Sequence, residues 1–298
     1  MTRIKVMGLA LIAVFAIAAL GSAAASAAGP VYFTCGKAAK NEKKEYTGHY
    51  ATKECKTSEF TETGGKYKLV PGIGKGKITK TKGGKAVLHS INPEAKVDIP
   101  VECTSFKGSS TPVAPNLVTK AVTTFSHCKA LSAPCQNVKK ETIETKSLAG
   151  QIGWINKEGG VVGTDLAQEA EPGKPVAEFT CEALGEIRTS GSVIGQNGGN
   201  IKTVSNKSTL TFAPGPYLGE QEAKCPTEEE PEHMCKWTPI VNIPVVEGGS
   251  PDILMTEVKG AITGHPTEFY PPGGIPSGQQ GVAENKGEKL GIYEEGSV

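Results

Sequence analysis

Beyond residue 27 the chain holds a single arginine, Arg188, although lysine is plentiful. Arginine forks are the usual readers of bases and phosphates. Lysines alone make a diffuse positive surface, so nucleic acid is not expected as a partner. Aspartate is nearly as scarce, at Asp98, Asp165 and Asp252 only. No CxxC pair occurs, which speaks against thioredoxin-type exchange and against the usual zinc knuckles. The motifs G-x-S-x-G and HExxH are missing, as is a GKS or GKT phosphate loop, so no hydrolase elbow, zincin or nucleotide cradle is marked. GIGKGK (72–77) has glycines and lysines but stands among turn residues. Long amphipathic helical runs are absent too, which excludes a helix bundle. The sequence therefore points to no catalytic residue, no metal and no cofactor.

One long apolar run is present. Arg3 and Lys5 precede Val6 to Leu20, and GSAAASAAG follows. That order is a secretory signal peptide, with Ala25-Ser26-Ala27 placing the cut before Ala28. The apolar stretch, about 15 residues, is shorter than the ~20 of a spanning helix. No cysteine follows it before Cys35, so a lipid anchor is not expected, and no LPxTG-like signal precedes the C-terminus. The reading is export, with residues 1–27 removed, no membrane association afterwards, and release or passive retention at the cell surface. Removing Arg3 and Lys5 takes the net charge from +1 to about −1. Lysines crowd between Val31 and Lys85, whereas Glu220 to Glu232 and the last fifty residues lean acidic.

Gly, Pro and Thr are abundant, and short apolar segments alternate with GG, PG, NP and NGG turns. This texture predicts an all-β fold, an antiparallel sandwich or barrel stapled by disulfides, with a loop-rich C-terminal part. KVDIPVECTS is the clearest strand: Val97, Ile99, Val101 and Cys103 fall on one face, Lys96, Asp98, Pro100 and Glu102 on the other. Pro100 cannot donate to a ladder and predicts an edge or an outward-facing position. KAVLHSI, NLVTKAVTTFSH, KETIETKSL, GQIGWIN, GVVGTDL, VAEFTCEA, EIRTSGSVIG and KSTLTFA read as further strands, as do TPIVNIPVVEG, DILMTEV and EKLGIY. EFYPPGGIPSGQQGVAE (268–284) reads as a loop by composition. One secreted domain over 28–298 is expected, with its core at about 31–212 and with C-terminal strands and an acidic loop in 213–298.

Eight cysteines, an even number, imply disulfides in an exported chain. Spacing favours three local pairs. Cys35–Cys55 brackets a basic segment ahead of the strands, Cys225–Cys235 brackets the acidic insertion, and Cys128–Cys135 closes the hairpin tip of FSHCKALSAPC. Cys103 and Cys181, late in two similar strands, then pair across the core. The rival is Cys103–Cys128 with Cys135–Cys181. By loop-closure entropy, Cys103–Cys181 contributes about 4.5 kcal/mol and Cys128–Cys135 about 2.5. His127 precedes Cys128 and so points to the opposite face of a strand, and His233-Met234-Cys235 lacks a second ligand pair, which leaves zinc unsupported.

Aromatic platforms for a sugar ring come down to two candidates: Trp237, in a loop after Cys235, and Tyr67, in YKLVPG. Trp154 sits between Ile152 and Ile155 in GQIGWIN and reads as core. Asp165, Glu102, Glu178 and Glu182 could supply paired carboxylates for glycoside hydrolysis, but they equally suit solvated strand faces.

The ordered pieces GGKYKLVPG, GGKAVLHS, VECTS, TTFSHCKA, APC, SLAGQIGWINKEGGVVGTDL, EFTC and GSVIG resemble a family of secreted β-rich, six-cysteine proteins of soil actinobacteria with no assigned activity. The likeness spans roughly Cys35 to Phe212, is most specific at LAGQIGWIN and VGTDL, and returns at SGQQGVAENKGEKLGI. It implies export and a framework of Cys35, Cys55, Cys103, Cys128, Cys135 and Cys181. Cys225 and Cys235 are then an addition, which supports their mutual pairing. No site residue is carried over. The functional expectation is a non-enzymatic extracellular protein with a surface-associated, binding or structural role. Its partner would be a cell-wall or extracellular polymer, and its oligomeric state is not readable. A secreted hydrolase with an unrecognised carboxylate site is the alternative; an adhesin or inhibitor acting through the Cys225–Cys235 loop is a third. If the cysteines are oxidised as expected, reductant will lower the melting temperature of the mature protein sharply; an unchanged melt contradicts it.

Overall fold

A computed structural model describes residues 29–73, 76–92, 97–171, 173–212, 254–260 and 263–294. The leader, the Cys225–Cys235 loop, Trp237 and TPIVNIPVVEG lie outside the described residues. The N-terminal part forms β1 (Pro30–Lys37), β2 (Gly48–Tyr50), β3 (Phe60–Gly65) and β4 (Tyr67–Pro71). The long β5 (Thr79–Asn92) is followed by β6 (Val97–Asp98), β7 (Val101–Cys103), β8 (Ser105–Ala114) and β9 (Leu117–Ser126). Then come β10 (Lys129–Ala130), β11 (Ala133–Gln136), β12 (Thr142–Glu144), β13 (Leu148–Asn156), β14 (Val161–Gln168) and β15 (Pro175–Cys181). The last are β16 (Gly185–Gly198), β17 (Ser205–Phe212), β18 (Leu254–Gly260) and β19 (His265–Glu294). Among the described residues there is no α-helix, and no helix long and apolar enough to cross a membrane.

The antiparallel ladders close on themselves twice. In the first circuit β5 pairs with β8, then β9, β13, β14, β16, β17 and β19 follow in turn, and β19 returns to β5. In the second, β5 is followed by β7, β10, β11, β15, β16, β18 and β19, which again returns to β5. The fold is thus a pair of barrels sharing β5, β16 and β19. Closure is the arrangement that leaves no exposed strand edge. The shared strands change partners part-way along. β5 meets β8 at 79–83 and β7 at 86–88; β16 meets β18 at 186–191 and β14 at 163–167 through its residues 192–196. Gly191, at the changeover in β16, has φ +103°, a conformation that side-chain-bearing residues rarely adopt. Gly83, at the changeover in β5, lies under the Phe106 ring, where a Cβ would collide with it.

Among the described residues, four apolar clusters fill the structure. The one at the junction of the circuits draws Ala86, Phe106, Leu148, Val193, Phe212, Leu254 and Ala283 from strands of both. The second circuit is filled by Val101, Ile143, Phe179, Leu184 and Ile187 around the cysteines. Buried hydroxyls join β5, β18 and β19: Ser277 Oγ donates to Thr256 at 2.7 Å and lies 3.1 Å from Ser90 Oγ. Tyr32, Val118, Ile152, Trp154, Val162, Leu290 and Ile292 cover the far end of the first circuit, so Trp154 is core as its neighbours indicated.

Four expectations are corrected. The segment bracketed by Cys35 and Cys55 does not precede the strands: β1, β2, β3 and β4 form an antiparallel sheet, and β1 also pairs with the end of β19. Residues 268–284 are not a loop but part of β19. Tyr270 stands opposite Val258 and Ile275 opposite Thr256, so Pro271 to Gly274 bulge out of the ladder. Pro271, Pro272, Gly273 and Gly274, which looked like loop chemistry, occupy that bulge, where no ladder donor is needed. KVDIPVECTS breaks at Ile99-Pro100 into β6 and β7, both in one register on β5, and β10 on its other side makes β7 an interior strand.

The fourth correction is the disulfide connectivity. Cys35–Cys55 forms as expected, but the other bridges are Cys103–Cys128 and Cys135–Cys181, the rival pairing. Loop entropy does not decide this. Separations of 25 and 46 residues contribute about 3.5 and about 4 kcal/mol, close in total to the other connectivity. Ladder geometry decides it. Lys129–Ala130 and Ala133–Gln136 do form the anticipated hairpin, turning at Leu131 and Ser132, both at positive φ. Within it, the Cys135 N–H donates to the Cys128 carbonyl at 2.9 Å, and opposite residues joined this way hold their side chains apart. Across the outer ladders Cys135 faces Cys181 directly, while the bonding groups belong to their neighbours, Glu182 N–H and Pro134 carbonyl. Such pairs bring side chains closest. The Cα atoms are 4.0 Å apart in both bridges. Four cysteines therefore form one row across β7, β10, β11 and β15.

Gly83→Val will force the Phe106 ring from the junction core and cost about 1–3 kcal/mol; chemical denaturation measures it, and an unchanged midpoint contradicts the packing.

Candidate functional site

Alternation along the first circuit builds its interior. Thr79, Thr81 and Gly83 of β5 point inward, and Lys80 and Lys82 outward. Val193 and Asn197 of β16, Ser208, Leu210 and Phe212 of β17, and Ala283 and Asn285 of β19 also point inward. An eight-stranded barrel has room for a filled interior or for one small ligand. Here so many inward positions are Gly, Ser, Thr, Asn or Ala that a cavity of about 120 Å³ remains.

The lumen has two chemical halves. Toward the junction it is lined by Phe106, Phe125, Leu148, Leu166, Val193 and Phe212. Toward the other end stand Thr79, Thr81, Thr164, Asn197, Asn200, Ser208 and Asn285. The polar groups are mostly paired with each other. Thr81 Oγ1 donates to Asn285 Oδ1 at 2.7 Å, and Asn197 Nδ2 donates to Thr164 Oγ1 at 2.8 Å. Asn200 is 6% exposed, and its Oδ1 accepts no hydrogen bond; an unmade bond of that kind costs about 1–3 kcal/mol. Tyr32 of β1 lies across the end of the lumen, where full burial pushes its phenol pKa far up and keeps it neutral. Glu288 and Lys207 are the charged residues in the lining. A second cavity of about 80 Å³, lined by Leu88, Val101, Ile143, Val176 and Phe179 among others, lies toward the second circuit and is almost wholly apolar.

The residues singled out from sequence lie elsewhere. Tyr67 is half-buried in the N-terminal sheet, opposite Lys37 and Tyr50 and packed on the cluster of Val31, Phe33 and Leu69. Asp165, Glu102, Glu178 and Glu182 do not line the lumen. Asp165 is on the opposite face of β14 from Thr164 and Leu166; Glu102 pairs with Lys85 at 2.8 Å and Glu178 with Lys146 at 3.5 Å. His127 is exposed and hydrogen-bonded to Thr104 at 3.2 Å, while Cys128 is fully buried. Among the described residues, no group of three or more His, Cys, Asp and Glu is placed to hold a metal. The lumen was missed because its signal is a run such as TKTKGG, whose inward residues are small and polar rather than apolar.

One acid–base pair stands out. His89 Nδ1 lies 2.6 Å from Asp98 Oδ2, and Nε2 lies 3.2 Å from Gln280 Oε1. Partial burial opposes the charged ring. The hydrogen bonds to Asp98 and Gln280 and the charges of Asp98 and Glu102 outweigh it, so the pKa is raised. Nε2 donates to an amide oxygen, not to a nucleophile, which makes the pair a brace between β5, β6 and β19.

The chain matches no protein-family model, no curated protein and no solved structure.

Because the folded chain holds the His89 proton more tightly than the unfolded chain, this stabilisation is complete below about pH 6.5 and fades as pH rises through the raised value. The melting temperature should therefore decline above neutral pH, and His89→Gln should remove that part of the profile; an identical profile in the variant contradicts it.

Proposed function

We propose that the chain is an exported, non-enzymatic binding protein whose ligand occupies the lumen of the first barrel. The observation that carries this is a cavity of about 120 Å³ with an apolar half and a hydrogen-bonding half, bearing an unsatisfied amide oxygen at Asn200. A dry apolar cavity of roughly 150 Å³ takes up benzene, so the ligand is compact, about the size of one six-membered ring. It is neutral, because the lining is overwhelmingly uncharged, and it carries a donor at one edge that a small rotation of the Asn200 amide would meet. Water fills the polar half when no ligand is bound.

Export draws support from the leader-like N-terminus and from three disulfides, which persist in oxidising compartments. Kinship with the secreted six-cysteine proteins of soil actinobacteria belongs to the same proposal. A hydrolytic role has less behind it, because the candidate carboxylates are dispersed over several strands and salt-bridged or outside the lumen.

Thermal-shift measurements with phenol, cyclohexanol, benzene and a charged control, benzoate, test the reading. Ligand at about 100 times its Kd stabilises by roughly 2.7 kcal/mol. Phenol or cyclohexanol should raise the melting temperature more than benzene and far more than benzoate. Ser208→Phe, which fills the lumen, should abolish the shift while the protein still melts cooperatively. No shift with any neutral probe overturns the proposal.

A further inference from the structure

We propose that the outer face of the first barrel, across β8, β5, β19 and β17, is a docking surface for an acidic polysaccharide. The inference rests on strand register and concerns the outer side of the wall, although Lys207 and Ser109 also border the lumen. Lys80 pairs directly with Lys286, and Lys286 directly with Lys207. Neighbouring strands lie about 4.8 Å apart, so three ammonium stems rise from one row roughly 10 Å long. In the adjacent row Lys82 stands between Lys107 and Glu284. All five lysines are exposed.

Like charges directly opposite each other in a sheet destabilise it. The face supplies little relief: Glu284 binds Lys82 at 3.1 Å, and no carboxylate among the described residues forms an ion pair with Lys80, Lys107, Lys207 or Lys286. An open depression of about 790 Å³ runs over Lys80, Lys82, Lys207 and Lys286. Regularly spaced cations over a shallow groove are complementary to a linear polymer with regularly spaced anions. The face has no arginine fork to grip phosphates in pairs and no aromatic ring on which bases stack, so nucleic acid is the poorer fit. Thr209 and Ser109, which continue the two rows, provide hydroxyls suited to sugar hydroxyls. A membrane surface would call for an amphipathic element with aromatic anchors, and the face is a flat sheet of Lys, Ser and Thr.

The test uses the purified mature protein and binding measured against polygalacturonate, dextran, duplex DNA and anionic phosphatidylserine vesicles. Polygalacturonate should bind, dextran should not, and raising salt from 50 to 200 mM should weaken binding several-fold, on the order of tenfold for this many lysine contacts. Lys80→Gln/Lys207→Gln/Lys286→Gln should lower affinity by at least about tenfold with a melting temperature unchanged or raised, since repulsion is relieved. Lys43→Gln/Lys139→Gln/Lys140→Gln, of equal charge but away from the face, should retain most of the binding. The proposal is overturned if polygalacturonate does not bind at low salt, if the two triple variants lose affinity equally, or if DNA or the vesicles bind more tightly than polygalacturonate.

Discussion

Three strands belong to two barrels at once, and most of the architecture follows from that sharing. β5 and β16 run for 14 residues each and β19 for 30, well beyond the usual five or six. Each must satisfy one set of neighbours along one half and another set along the other. A slip of one residue would turn every inward side chain outward, and here it would do so in both circuits together. Register is therefore fixed from several directions. The positions where partners change are held by glycine, at Gly83 under the Phe106 ring and at Gly191 with its positive φ.

The two halves are built differently. The second circuit carries the row of four cysteines and a dense apolar filling, and it is further tied by Ser90, Thr256 and Ser277. The first, among the described residues, carries no disulfide of its own and keeps space inside. It is closed at one end by the junction cluster and at the other by Tyr32 and the cluster around Trp154. The N-terminal sheet that brings Tyr32 there is itself anchored. β1 pairs with β19, Cys35 is bonded to Cys55, and the Tyr293 hydroxyl donates to the Cys55 carbonyl at 2.5 Å. A disulfide-stapled half thus adjoins a half that keeps a cavity inside.

The same alternation creates both surfaces proposed to bind. In TKTKGG the threonines and Gly83 face the lumen while Lys80 and Lys82 face outward, and in AENKG the pattern repeats with Ala283 and Asn285 inside and Glu284 and Lys286 outside. Small inward residues leave a cavity, and long outward cations, brought opposite one another by register, leave a field that Glu284 relieves only at Lys82. Neither property needs a motif. Both come from placing ordinary residues on the two sides of one wall.

The sequence by itself determined the all-β class, the bridge Cys35–Cys55, the hairpin of FSHCKALSAPC and the burial of Trp154, because each is a local matter of period, turn chemistry or immediate neighbours. It did not determine which cysteine pairs with which across the hairpin. Spacing measures distance along the chain, whereas hydrogen-bonded and non-bonded positions in a ladder are set by strands far apart in sequence. Pro271 to Gly274 misled for the same reason, since a bulge and a loop have the same composition and only the partner strand distinguishes them. The lumen and the lysine rows were likewise decided by tertiary structure alone, which brings eight strands into a ring and aligns Lys80, Lys286 and Lys207 from three segments far apart in the chain.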